Sequence, residues 1–250
     1  FNDTATTEIY TLSLHDVLPI CQEKPESNIL LDRKVFRNKI KETEVVEVSS
    51  DKWMEPFGNI LGLNDDSVEL WADVVKAKKD HAVLVEGKID KGYIEHITSL
   101  NIQGYHIPEH VEIIPYGGKD ALKNAIMLKF VIDKFDRVFI TYDLDAKNDL
   151  KKAMNQLSLI EGEDHFSVGI DGDGKDCIEG LLPEGLHSKV HASNTDLIMK
   201  LISTDNNKRK SAKNEIKSKL LEEFKLEKSL TSADLKGFKP LFSAINRAFK

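Results

Sequence analysis

Two apolar runs in this chain end on carboxylates. Ala82-Val83-Leu84-Val85 runs into Glu86, with Asp90 four residues on, and Val138-Phe139-Ile140 leads through Thr141 and Tyr142 into Asp143, with Asp145 two residues on. Short apolar, β-branched runs of this kind read as strands buried on both faces, as in a parallel sheet. A carboxylate at the end of such a strand is costly to bury unless something pairs with it. In open α/β sheets the carboxyl ends of the strands are also where ligands sit. Residues two apart on an extended strand point to one side, so Asp143 and Asp145 are expected together. Asp90 shares a face with Glu86 if a helix starts at once. Four carboxylates on one rim repel each other unless a hard divalent cation lies between them, and all-oxygen ligation with room for water and phosphate suits Mg²⁺. For any one residue the plainer reading is a helix-capping Asp90, or turn residues at Asp143 and Asp145. The set, at the ends of two core strands, favours a site.

The elements that must position these acids follow from the periodicity. A strand over 81–86 precedes a helix near 88–100, with Tyr93, Ile94 and Ile97 on one face. A strand over 111–117 precedes a helix near 120–135, and a strand over 137–143 precedes a helix near 147–157. A last strand over 165–170 leads into a loop rich in Gly and Asp. Strand–helix alternation at this spacing implies right-handed crossovers and a parallel sheet. After Ser193 the pattern is helical. Before His81 the signals are mixed: Glu44–Val48 reads as a short edge strand, and Gly58–Lys79 carries helical spacing with a cap near Asn64 to Ser67.

Composition sets bounds. The chain of 250 residues carries a net charge of -7, which argues against a globally basic nucleic-acid binder. The charge is uneven: from Lys200 to Lys250 there are thirteen Lys and Arg against six Asp and Glu. The two cysteines, Cys21 and Cys177, are too few for a disulfide framework and lack zinc-ligand spacing, so a reducing, cytoplasmic setting is expected. No run approaches the length of a membrane helix, and no membrane partner is expected. Asn2 to Ile20 resemble the conceptual translation of a sequencing-library adapter, NDTATTEIYTLSLHDALPI, at every position except Val17. Residues 1–20 are therefore set aside as artefact, and the natural protein is expected to begin upstream.

A resemblance to a known family follows from the same residues. VEGKID (Val85 to Asp90), followed by TYDLDA (Thr141 to Ala146), resembles the TOPRIM domain, a metal-binding α/β module of primases, topoisomerases and several nucleases. EGKIDKGYI, IIPYGGK (Ile113 to Lys119) and KDCIEGLLP (Lys175 to Pro183) are similar to elements of one branch, the overcoming-lysogenization-defect (OLD) nucleases. WADVVKAKKDHAVLVEG resembles that branch's passage from an upstream ATPase into TOPRIM, and the likeness covers roughly residues 55 to 185. It implies a TOPRIM (Rossmann-like) α/β core with a mainly parallel sheet flanked by helices, plus a helical C-terminal extension. The implied layout is an ATPase remnant or linker over 21–78, TOPRIM over 79–190 and a basic helical region over 191–250.

The resemblance also implies roles. Asp143 and Asp145 would hold Mg²⁺ (or Mn²⁺), with Glu86 as a further ligand or proton-transfer group. Asp90 would join the same cluster, and Glu179 would serve a second metal. Lys239, in GFKPLF, weakly resembles a late family lysine, while Lys88 and Lys119 lie near strand ends. The implied activity is two-metal hydrolysis of DNA phosphodiester bonds. The implied partners are DNA, the ATPase domain of the same natural chain and a second copy in a homodimer.

Other chemistries find less support. The Walker pattern is absent, so no ATP site is expected within this chain, and neither HExxH nor Gly-x-Ser-x-Gly occurs. A haloacid-dehalogenase-like phosphatase also uses Asp-x-Asp after a strand, but Lys147 stands where a Thr is common. A non-enzymatic rival is a TOPRIM module that only binds DNA or dimerises. The basic C-terminal helices suit a DNA path or a solvated helical cap equally.

Overall fold

The computed structural model describes residues 30–36, 39–46, 74, 77–123, 125–172, 174–227 and 229–250. The stretch resembling an adapter and the helix expected within 58–79 lie outside these residues, apart from Val74 and the last few positions. The chain divides into two compact units, Phe1–Lys76 and Ala77–Lys250. In the first, β1 (Leu30–Phe36) pairs antiparallel with β2 (Lys39–Val46), with a register shift between Lys34 and Val35. The edge strand expected at Glu44–Val48 overlaps the end of β2; its partner β1, rich in charge, carried no clear signal.

The second unit is an α/β fold. Its strands are β3 (His81–Val85), β4 (Val111–Pro115), β5 (Arg137–Asp143) and β6 (His165–Val168). They form one all-parallel sheet in the order β4-β3-β5-β6. Between them run α1 (Lys88–Ser99), α2 (Lys119–Lys123), α3 (Ala125–Lys134) and α4 (Lys147–Gln156). The chain moves one way from β3 to β4 and the other way from β4 to β5 and β6. Right-handed crossovers therefore put α1 on one face and α2 to α4 on the other. The strand order reverses between β3 and β5, which makes their carboxyl ends the switch point of the sheet.

Four further helices follow: α5 (Glu184–Ser193), α6 (Thr195–Leu201), α7 (Asn206–Leu226) and α8 (Lys239–Ala248). The helical pattern begins at Glu184, earlier than the sequence spacing suggested. These helices share a core with the sheet. Val83, Val85 and Phe139 pack in one buried cluster with Tyr93 and Ile97 of α1, Ile216 and Phe224 of α7, and Phe242 and Ile245 of α8. Leu84 and Ile140 are equally buried and by alternation face the opposite side. Buried Ala212, Ile216, Leu220 and Phe224 recur every four residues on α7, the spacing of one helix face. Among the described residues no helix is long and apolar enough to cross a membrane.

Glycines mark where backbones meet. A Cβ on Gly180 would run into the backbone of Lys175, whereas one on Gly185 would meet nothing within 4 Å. Gly180→Ala should therefore lower stability in urea unfolding by roughly 2 kcal/mol or more. Gly185→Ala, inside α5, should raise it by up to about 1 kcal/mol. Equal effects at the two positions would contradict the close approach at Gly180.

Candidate functional site

The rim at the switch point is built from backbone outward. Tyr116 N–H donates to Val85 O (2.9 Å), and the N–H groups of Gly117 and Gly118 both donate to Glu86 O (3.0 and 3.1 Å). Gly117 and Gly118 have φ of 83° and 101°, values that favour glycine, so the end of β4 can curl over the end of β3. Thr141 Oγ1 donates to Leu84 O (3.0 Å), and Tyr116 Oη donates to Thr141 O (2.9 Å). Buried side chains thus tie the ends of β4, β3 and β5 together, and Glu86 and Asp143 project from a fixed frame. Asp143 N–H points to Glu86 Oε2 at 3.4 Å, a weak bond that joins the two acid-bearing ends.

Asp90 stands in the first turn of α1, where Gly87 is the N-cap. Its Oδ2 accepts from Gly87 N–H at 2.8 Å. The capping role and membership of the acidic group hold together, because the same carboxyl also feels Glu86 and Glu179. Asp145 is different. β5 ends at Asp143 and the chain enters a 3-10 turn, Leu144–Ala146. The period-two argument therefore does not reach Asp145, which is exposed.

Glu179 lies in a second 3-10 turn, Ile178–Leu181, and is buried to 3% exposure. Lys217 Nζ lies 3.0 Å from its Oε2. That contact is an ion pair, and the Cys177 thiol is a further neighbour of the same carboxylate. The turn itself is held on both sides: His187 Nε2 meets Glu179 O at 2.8 Å, and Leu144 N–H donates to Asp176 O at 2.8 Å. The second bond links the loop before Glu179 to the turn after Asp143.

Lys217 was missed by sequence reasoning. α7 carries Lys208, Lys210, Lys213, Lys217 and Lys219, and nothing local distinguishes the inward one. The signal that exists is a helix contact: a Cβ on Gly92 would come within 2.7 Å of Leu221 Cδ2. Phe224, one turn on, packs on Tyr93 and His96 with ring centroids 5.5 and 5.4 Å apart. Contacts advance together along both helices, so they run the same way, and Lys217, one turn before Leu221, comes level with Asp90. Lys239, by contrast, is exposed at the start of α8. The turn before it, Lys236–Phe238, packs on the Glu179 turn, since a Cβ on Gly237 would lie 2.5 Å from Leu181 O. Lys88 is also exposed.

The electrostatics follow from burial. Desolvation, then the charges of Glu86 and Asp90, push the Asp143 carboxyl up to about 8, with Lys217 opposing. Desolvation and then Glu179 push Asp90 up to about 7, again opposed by Lys217. Desolvation and then Glu179 also raise the Cys177 thiol to about 12, far from a reactive thiolate. The donor set is all oxygen, which fits a hard divalent cation, and a cation would relieve the repulsion that raises Asp90 and Asp143. Among the described residues no three His, Cys, Asp or Glu side chains form a ready-made metal cage. Water and phosphate oxygens would have to complete the coordination, as they commonly do for Mg²⁺.

Comparison with protein-family models, with curated proteins and with solved structures gave no significant match. Fold and site together define the class: an α/β domain with a four-strand parallel sheet and an acidic rim at its switch point.

Acids whose folded values are raised stabilise the fold most below their ordinary value of 3.8, and that contribution is lost as pH rises through about 7 to 8. Without added metal, Asp143→Asn should therefore be more stable than the parent at pH 8, by roughly 1–2 kcal/mol. The advantage should shrink toward pH 5, where Asp143 is already protonated. Thermal melts in chelator check this; destabilisation of equal size at both pH values would contradict it.

Proposed function

We propose that this chain is the nuclease portion of a metal-dependent DNA endonuclease of the TOPRIM type, from the OLD branch, hydrolysing phosphodiester bonds. The observation that carries the reading is the approach of Glu86 to Asp143 at the ends of β3 and β5, with Asp90 and Glu179 close enough to raise the Asp143 carboxyl. Carboxylates bring hard ligands and proton acceptors to a place where ligands of open α/β sheets bind. When bound there, Mg²⁺ or Mn²⁺ supplies an activated water and takes up charge on the phosphoryl oxygens.

The protein's own residues have distinct tasks in this reading. Glu86, just past the end of β3, and Asp143, the last residue of β5, would offer oxygens to the cation, and Glu86 would take a proton from the attacking water. Asp90 orients the start of α1 through its bond to Gly87. Asp145, exposed on the turn after β5, would contribute a ligand from outside the strand. Action on DNA, an ATPase partner within the natural chain and homodimer formation belong to the same proposal.

One observation favours a second reading, a TOPRIM module without catalysis. Lys217 already partners Glu179, so part of the acidic charge is neutralised internally.

Nicking of supercoiled plasmid, with Mg²⁺ or Mn²⁺ against chelator, separates the two. The parent should nick only with metal, and Asp143→Ala and Glu86→Ala should each lower the rate by about 100-fold or more, as loss of a group central to charge stabilisation does. A folded parent that binds no metal and leaves plasmid intact would favour the non-catalytic module. Nicking that survives both substitutions would place the chemistry elsewhere.

A further inference from the structure

α4 begins two residues after Asp145, and one face of it differs from the surface around it. Leu150, Ala153 and Met154 are buried, whereas Asn148, Lys151, Lys152, Asn155 and Gln156 are all exposed. The exposed residues follow the spacing i, i+3, i+4, i+7, i+8, so they form one stripe opposite the buried side. They line an open groove of about 510 Å³. Among the described residues, none of these side chains makes a hydrogen bond or ion pair within the protein. We infer that this stripe is where duplex DNA lies against the protein, held through its phosphates and without reading of its sequence. The inference rests on the DNA-binding part of the reading above and not on its chemistry.

Three observations support it. First, the charge is unpaired where the neighbouring elements pair theirs. Lys123 lies against Asp120, Lys129 against Asp133, Lys147 against Glu161, and Lys219 of α7 against Glu222. The one acid of α4, Asp149, lies off the stripe and 4.0 Å from Lys123. In a chain of net charge -7, a stripe with two lysines and no acid is a local positive excess. Second, the stripe suits a phosphate backbone. Lys ammonium groups and Asn and Gln amides are donors to phosphate oxygens. A protein partner needs aromatic or apolar anchors, and a single strand needs aromatic side chains on which bases stack; the stripe has neither. Spread donors without anchors fit the outside of a duplex. Asn is also a poor helix former, and solvation alone gives no reason for two in a ten-residue helix. Third, the stripe starts beside the rim. Asn148 stands three residues after the exposed Asp145, and from there to Gln156 the stripe runs roughly 12 Å along the helix. A duplex backbone on this line would pass next to the acidic rim, with ammonium groups offsetting the phosphate charge as it nears the carboxylates.

Fluorescence anisotropy of two unrelated DNA duplexes, titrated with the full chain in chelator over a range of salt, tests this without any turnover. Lys151→Ala combined with Lys152→Ala keeps good helix formers in α4, and circular dichroism checks the fold. This variant should bind both duplexes about 10-fold more weakly, and the slope of log affinity on log salt should fall by about 2. Lys151→Arg with Lys152→Arg should keep affinity and slope. Lys210→Ala with Lys213→Ala, on the exposed face of α7, should stay within about twofold of the parent near 0.1 M salt, where distant charges are screened. An α7 variant weakened as much as the α4 variant would overturn the inference and leave DNA binding standing. An α4 variant with the parent's affinity and slope would overturn it too, as would a loss confined to one duplex. Polyglutamate or single-stranded DNA competing as well as duplex would overturn the choice of occupant. A folded parent that binds no DNA would remove the DNA-binding reading and the inference with it.

Discussion

The constraint on which this structure turns is the repulsion among acids gathered at the end of a buried sheet. Glu86 and Asp143 end adjacent parallel strands, and desolvation plus mutual charge drives the carboxyl of Asp143 toward neutrality. A stiff frame and a nearby positive charge, together with protonation, let a fold tolerate such a group. Both conditions are met by visible means. Thr141, Tyr116 and the Gly117–Gly118 turn lock three strand ends together through buried hydrogen bonds. Lys217 brings the charge from a helix more than 70 residues further along the chain, a separation evident from the numbering.

That second condition changes the meaning of the C-terminal helices. A solvated cap would contribute little to the rim. Here α7 and α8 share the core of the sheet, with Phe224, Phe238 and Phe242 buried beside Val83, Tyr93 and Phe139. Each buried aromatic side chain contributes on the order of 1.5–3 kcal/mol relative to exposure. The stability of the sheet and the placement of Lys217 are therefore one arrangement: the packing that stabilises the domain is the packing that aims the lysine. The rest of the basic surface on α7 stays available to solvent, Lys210 and Lys213 included.

What was legible in the sequence follows the same division. β5 matches its expected range, Arg137–Asp143, because an apolar run bounded by Arg and Asp is a local signal. The four core strands and their parallel direction follow from strand–helix alternation, whereas their order in the sheet is read from the structure. The helix expected over 120–135 is described at Lys119–Lys123 and Ala125–Lys134, on either side of residue 124, which lies outside the described residues. The premise that paired Asp145 with Asp143, an extended strand through both, does not hold, since β5 stops at Asp143 and a 3-10 turn follows. Lys217 was illegible because its distinction is tertiary: it depends on Gly92 lacking a side chain and on Leu221 filling that space. Glu179 was visible as a motif residue, yet its burial depends on Gly180 and Gly237 letting three backbone segments meet.

The rim is asymmetric, and the asymmetry has a physical reading. On one side Glu179 is neutralised by a residue of the protein itself. On the other, Glu86 and Asp143 face each other with their repulsion only partly relieved, and protonation of Asp143 is the protein's own way of reducing it. Amides at these positions would fold with less strain between charges, so the acids are a local departure from what stability alone favours. Departures of this kind are the places where function is to be sought.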